Sequence, residues 1–202
     1  MELITSLAML GANGNGINNA TFVAVNSIAG PALNALMHYL AESFYIVLPV
    51  IALYMIARRD RSVYSFVVAA IILFAVGYSL KAVFHQPRPC ALPQYSWINA
   101  YPSCESGYSF PSDHAVTLTG LIFFVWRRKN VRWLYVIWLA LVMFSRFYLG
   151  QHYLTDVVAG MAISLAIGYI IHRLSGRIFE VAALLKLDWI TERGHAHHKH
   201  KT

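Results

Sequence analysis

The 202-residue chain is 58% hydrophobic and only 12% charged, with a formal net charge of +7. That composition excludes an ordinary soluble domain and a disordered chain, and points to a polytopic membrane protein. The basic excess would suit nucleic acid, but its confinement to a few short segments assigns it to a membrane surface, so no nucleic-acid partner is expected.

Residues 1–35 are weakly apolar. Asn13, Asn15, Asn18, Asn19 and the Gly30-Pro31 pair argue against a simple spanning helix. The segment 17–29 reads as an interfacial or partly inserted helix, with a sixth span as the alternative. The leading residues lack the basic region of a secretory signal. Five apolar stretches follow, at 36–57, 63–85, 112–126, 131–149 and 153–172. A bilayer core needs about 20 apolar residues per helix. The stretch at 112–126 is short, so its polar start is expected inside the protein rather than in lipid. Gly160, Ser164 and Gly168 recur every four residues on the last stretch and read as a close helix-packing seam. Residues 178–190 suit a helix lying along the interface, within a cytoplasmic segment 178–202 that ends in a His-rich tail. No linker divides the chain. The expected fold is therefore all-α: one domain over 1–202, a membrane helical bundle with five clear transmembrane helices.

Counting charges orients the bundle. Arg58, Arg59 and Arg61 lie between the first two clear stretches, Arg127, Arg128, Lys129 and Arg132 between the third and fourth, and Arg173, Arg177, Lys186, Arg193, Lys199 and Lys201 after the last. Because spans alternate direction, all of these fall on one side, which the positive-inside rule makes cytoplasmic. Lys81, Arg88 and Arg146 are left on the outer side, and the same parity brings His114, His152 and Asp156 to them. Ionisable residues beside hydrocarbon mark function by default. The outer loop, about 86–111, holds Cys90 and Cys104, two thiols outside the cytoplasm that either stay free or form a disulfide.

His152 and Asp156 are four apart, so on a helix they share a face, and the carboxylate can bond one imidazole nitrogen and leave the other as nucleophile. Ser112 or Asp113 serves as a helix N-cap before an apolar run, where free N–H groups favour an anion. His114, in the first turn, suits a general acid. Lys81, Arg88 and Arg146 bracket a multiply charged anion, arginine with forked donors and lysine as a point charge. Taken singly, each has a plain structural alternative: an ordinary His–Asp pair, a capping motif, a snorkelling cation. His85 and Gln86, between Lys81 and Arg88, read as interfacial residues, with a place in the pocket lining as the alternative.

The three clusters together resemble the signatures of the type 2 phosphatidic acid phosphatase superfamily, K-x6-R-P, P-S-G-H and S-R-x5-H-x3-D. Lys81, Arg88 and Pro89 match the first, and Ser145, Arg146, His152 and Asp156 the third, with both spacings kept. The resemblance implies a helical membrane phosphatase working through a phosphohistidine, with no metal and no cofactor. It makes His152 the nucleophile, Asp156 its orienting partner and His114 the acid, while Lys81, Arg88, Ser112 and Arg146 hold the phosphate. The second motif departs at Asp113, where the family has glycine. P-S-D-H is similar to the undecaprenyl pyrophosphate phosphatases of this superfamily. A carboxylate beside a phosphate repels it unless turned away or paired with a cation such as Arg146, so Asp113 is kept outside the core catalytic set.

The expectation is an integral enzyme of the cytoplasmic membrane, its site on the outer or periplasmic face and its C-terminus cytoplasmic. It would cleave a polyprenyl pyrophosphate to the monophosphate, the lipid phosphate being its partner. A phosphatidic acid or phosphatidylglycerol phosphate phosphatase, and a lipid phosphotransferase, are the near alternatives; a non-catalytic lipid-phosphate binding or transport protein is the distant one. Nothing in the sequence speaks to oligomeric state.

Overall fold

A computed structural model of the chain describes residues 30–96 and 100–187, with 20, 24–26 and 28. The segment 17–29 lies mostly outside the described residues, and the His-rich tail lies wholly outside them. Helices account for nearly all the regular structure: α1 (Pro31–Glu42), α2 (Phe44–Ala57), α3 (Ser62–Phe84), α4 (Asp113–Thr119), α5 (Ile122–Val125), α6 (Lys129–Tyr148), α7 (Leu154–Arg173) and α8 (Ser175–Leu184). Four apolar helical stretches, Pro31–Ala57, Ser62–Ala91, Lys129–Tyr148 and Leu154–Arg173, are long enough to cross a bilayer, and Asp113–Val125 is a shorter apolar one.

The Gly30-Pro31 pair, expected to interrupt helix, instead starts one. Gly30 is the N-cap in extended conformation and Pro31 takes the first helical position, where its missing N–H costs nothing and its fixed φ is already helical. The first long helical stretch therefore begins five residues ahead of the expected 36. It breaks at Ser43, whose hydroxyl turns back onto the Leu40 carbonyl (2.6 Å) and accepts the Trp138 indole N–H of α6 (2.8 Å).

The short stretch α4 sits in the middle of the bundle. Ala115, Val116, Thr117, Leu118 and Thr119 are all buried, packed chiefly between α3 and α7. A helix enclosed by protein does not need the length of the hydrocarbon layer. The seam on α7 brings its backbone against α4: a Cβ added at Gly160 would lie 2.8 Å from the Ala115 Cβ, and one at Gly168 would lie 2.6 Å from the Gly120 carbonyl oxygen. Between them Ser164 Oγ accepts the Gly120 N–H at 2.6 Å and donates to the Val116 carbonyl. Small residues allow this approach, and in a membrane such packing, rather than water exclusion, holds helices together.

The ends of the bundle differ. Asp60, between α2 and α3, pairs with Arg128 before α6, the Arg61 guanidinium lies 4.4 Å from the Phe179 ring of α8, and Tyr64 donates to the Leu187 carbonyl at 2.7 Å. These contacts gather the three basic segments, the last as far as residue 187, at one end, as span parity requires. The opposite end carries the long α3–α4 connection, which holds short 3-10 turns at Pro89–Ala91 and Pro93–Tyr95.

Candidate active site

At that opposite end meet the last turn of α3, the first turn of α4, the end of α6 and the start of α7. α3 stops because His85 adopts a left-handed conformation (φ 49°), its N–H closing on the Lys81 carbonyl, and Arg88 follows in extended conformation between two prolines, ahead of the 3-10 turn at Pro89–Ala91. Lys81 thus stays on the final helical turn while Arg88 is carried across to His152. Arg146 occupies the last turn of α6, and Gly150, with φ 70°, reverses the chain into α7. Lys81, Arg88, Arg146, His152 and Asp156 are all buried.

His152 and Asp156 do not share a helix face, contrary to the sequence expectation. Tyr153 is the N-cap of α7, so His152 lies outside the helix, and Asp156 caps it by accepting the Tyr153 N–H at 2.9 Å. The carboxylate also accepts the Ser109 hydroxyl. His152 Nδ1 is 3.7 Å from Asp156 Oδ2 but 2.9 Å from the Ser109 carbonyl oxygen. A carbonyl can only accept, so Nδ1 carries the proton and Nε2 presents its lone pair. Arg88 Nη1 lies 3.1 Å from that Nε2 and donates to the Gln151 carbonyl at 3.0 Å. Burial, with Arg88, Arg146 and Lys81 close by, holds the His152 imidazole well below its ordinary pKa, so it stands neutral.

Asp113 pairs with Lys81 (3.3 Å), not with Arg146. The first residue of α4 faces the last turn of α3, whereas Arg146 is already taken by another carboxylate. That carboxylate is Glu105, a residue the sequence reading missed. It reaches Arg146 Nη2 with one oxygen and Arg88 Nη2 with the other, the latter at 3.0 Å. Burial pushes its carboxyl up, but Arg146 and Arg88 outweigh that and hold it below the usual carboxylate range. Nothing at Glu105 in the sequence repeats a motif; the only clue is a carboxylate next to Cys104.

Ser112 is the N-cap of α4 by position but makes no side-chain capping bond; its Oγ is buried without a partner. His114 is held by the backbone of Ala41, and its Nε2 is likewise buried and unpartnered. Arg88 Nε and Arg146 Nε share that state. These four buried orphans, each a donor or potential donor, want an anion. Cys90 and Cys104, 14 positions apart in sequence, are joined in a disulfide. Ser109 and Gln151, also missed in the sequence, complete the frame. Ser109 N–H bonds the Gln86 carbonyl at 2.7 Å, and Gln151 takes the Glu105 N–H at 3.0 Å while donating to the Ser103 carbonyl at 2.8 Å. His85 is exposed, and the buried side chain of Gln86 has neither polar atom partnered.

This arrangement can do one kind of chemistry well: hold a multiply charged phosphate against a neutral imidazole nitrogen. The family model of the PAP2 superfamily matches residues 62–180. The chain is 29% identical over 85% of its length, and 85% of the relative's, to the undecaprenyl-diphosphatase of Sulfolobus acidocaldarius. It is 26% identical to the lipid A 4'-phosphatase of Porphyromonas gingivalis, over 75% of this chain and 70% of that one. In fold it is similar to the crystal structure of the PAP2-type phosphatidylglycerolphosphate phosphatase of Bacillus subtilis, with a TM-score of 0.66 at 23% identity over 87% of this chain and 92% of that one.

Proposed function

The chain belongs to the PAP2 superfamily, and from that premise we propose that it hydrolyses a polyprenyl diphosphate of undecaprenyl type to the monophosphate, through a phosphohistidine on His152. That it is an integral membrane lipid phosphatase follows from its family and its apolar helices. The observation that carries the mechanism is the placement of the His152 ring, with Nδ1 on the Ser109 carbonyl and Nε2 on the Arg88 guanidinium, which a phosphate bound by Arg88 would draw away from the lone pair.

In the proposed reaction Nε2 attacks the terminal phosphorus, and a P–N bond forms as the bond to the bridging oxygen breaks. His114, which enters the step as imidazolium, gives that oxygen a proton and is left neutral. Water then attacks the phosphorus, His114 takes up a proton, and the P–N bond breaks to release inorganic phosphate. Lys81, Arg88 and Arg146 offset the charge on the in-flight phosphoryl group, with the Ser112 hydroxyl as a further donor. Three cations supply the electrostatic role that a metal ion plays in other phosphatases. Asp156 positions the Ser109 segment and the start of α7, and through them the imidazole. Asp113 tempers Lys81 rather than touching the reacting atoms.

The similarity to an undecaprenyl-diphosphatase supports the polyprenyl substrate. Relatives named for lipid A and phosphatidylglycerolphosphate support a second reading, a phosphatase of another membrane phosphomonoester. For the membrane face, the gathering of the arginine clusters at the end remote from His152 supports a site on the outer side and a cytoplasmic C-terminus. A cysteine introduced into the 59–61 turn should then resist an impermeant thiol reagent in intact cells.

The deciding experiment is phosphate release from undecaprenyl diphosphate in detergent, with chelator present, by the natural chain and His152→Ala. Release by the natural chain alone supports substrate and nucleophile together. Equal release by both would remove His152 from the mechanism. Release only from lipid phosphomonoesters would favour the second reading.

A further inference from the structure

The clamp for the phosphate is already filled by the protein itself. Glu105 bonds one guanidinium with each carboxylate oxygen, bridging Arg88 and Arg146 as a phosphate would. Its backbone is fixed on both sides: Cys104 is tied to Cys90, two residues from Arg88, and the Glu105 N–H is held by Gln151, the neighbour of His152. The carboxylate is thus a tethered anion at high local concentration, not a loose surface group. It serves a need of the two guanidiniums. Arg146 is 1% exposed and Arg88 5%, and buried guanidiniums without a counter-charge are strongly destabilising.

We propose that Glu105 is a tethered counter-anion that occupies the Arg88–Arg146 clamp at rest and yields only to a ligand phosphate carrying two or more negative charges, so that it excludes the singly charged phosphodiesters of the surrounding bilayer. One carboxylate charge matches one phosphodiester charge, and the tether gives the carboxylate the advantage. A terminal mono- or diphosphate brings more charge to the same donors and displaces it. A membrane surface crowds phosphodiester headgroups around any cationic site open to it, so without such a threshold the clamp would be filled unproductively. Glu105 is thereby a specificity-determining residue. The inference rests on the lipid phosphatase reading only for the class of ligand.

The test is calorimetric binding of two probes to the full chain in detergent at pH 8, where inorganic phosphate is mostly a dianion and dimethyl phosphate a monoanion. The natural chain should bind phosphate and give no heat with dimethyl phosphate. Glu105→Gln should bind phosphate at least about tenfold tighter, the change expected when a competitor occupying some nine-tenths of the sites is removed, and should accept dimethyl phosphate. Glu105→Asp, which keeps the charge, should still reject dimethyl phosphate. If Glu105→Gln binds phosphate no better, or worse, the carboxylate orients the arginines instead of standing in for the ligand, and the proposal falls. It falls equally if the natural chain binds dimethyl phosphate as tightly as phosphate, or binds neither, and those results need no variant to fold. Since binding is read without turnover, a chain that shows this selectivity yet hydrolyses no lipid phosphate would defeat the proposed function and leave the counter-anion standing.

Discussion

His152 and Ser109, 43 residues apart in sequence, meet through Nδ1 and a backbone carbonyl oxygen 2.9 Å away. That contact fixes which imidazole nitrogen faces the phosphate, and the fix comes from main chain, which no side-chain substitution removes. The acidic residue nearest His152, Asp156, acts one step behind it, holding Ser109 by the hydroxyl.

Removing the nucleophile should be close to absolute. His152→Ala is expected to lower kcat by roughly 10^4-fold or more, as loss of a nucleophile does in other covalent enzymes. Elution volume and helical content should be retained. A residual rate within about tenfold of the natural chain would exclude a phosphohistidine at this position.

Asp156→Asn keeps the shape but exchanges an acceptor oxygen for a donor. Ser109 and the Tyr153 N–H both donate to one carboxylate oxygen, so the amide oxygen can still accept both; what is lost is the charge that strengthens those bonds, and an NH2 group takes the place of the unpartnered Oδ1. We expect kcat to fall by about 10^2- to 10^4-fold, with KM changed less, since the group orients rather than binds. Ser109→Ala should destabilise the fold by about 1.5–3 kcal/mol, the loss of a hydrogen bond to a charged group, and lower kcat in the same direction. A Ser109→Ala chain with unaltered kcat would separate Asp156 from the positioning of His152.

The neutral, buried His152 makes stability depend on pH. Its folded pKa lies well below the ordinary 6.5, so above 6.5 neither state takes the proton and nothing is lost. As pH falls below 6.5 the unfolded chain binds a proton that the folded chain refuses, and stability drops by up to about 1.4 kcal/mol per pH unit. Glu105, depressed below its ordinary 4.5, adds stability above 4.5 that disappears as pH falls through its folded value. Thermal midpoints in detergent from pH 8 to pH 5 should decline for the natural chain and decline less for His152→Ala. Parallel curves would mean that other groups set the slope.

Asp113→Gly installs the commoner family residue and removes the carboxylate from Lys81, which keeps its bond to the Tyr108 carbonyl. Turnover should persist, with the ranking of lipid phosphates altered as the site gains one positive charge. Rates unchanged on every lipid phosphate would show that Asp113 has no electrostatic influence on the ligand.

The seam between α4 and α7 sets a steric limit. Gly168→Ala would put a Cβ 2.6 Å from the Gly120 carbonyl oxygen, and both partners there are backbone, which cannot swing aside. We expect a loss of about 1–3 kcal/mol, as for other overpacked interiors, seen as a lower thermal midpoint in detergent. A neutral result would mean that the two helices separate easily, in which case the first turn of α4, with Ser112 and His114, is less rigidly set than its packing implies.

Composition and hydrophobic runs sufficed for the helical class, because a chain in lipid must satisfy its backbone internally and helices do so locally. Charge parity sufficed to bring Lys81, Arg88, His114, Arg146, His152 and Asp156 to one end, since each lies at the end of an apolar run and runs alternate in direction. The motif spacings carried their identities as well. Local rules misled where a residue had two uses. Gly30-Pro31 reads as a break but is equally a helix start, and a pair four apart reads as one helix face unless a cap falls between its members, as Tyr153 does between His152 and Asp156.

What the sequence determined by itself, then, is which residues stand at the site, because that follows from short-range spacing and the direction of successive spans. Which of them touch was decided by tertiary structure alone. Ser109 beneath His152, Asp113 against Lys81 rather than Arg146, and above all Glu105 in the clamp depend on the path of the connection between α3 and α4, pinned by the Cys90–Cys104 bridge and by Gln151. An irregular loop has no period to read. Its course is chosen by the buried arginines and the imidazole that need partners, and those partners come from residues far away in the chain.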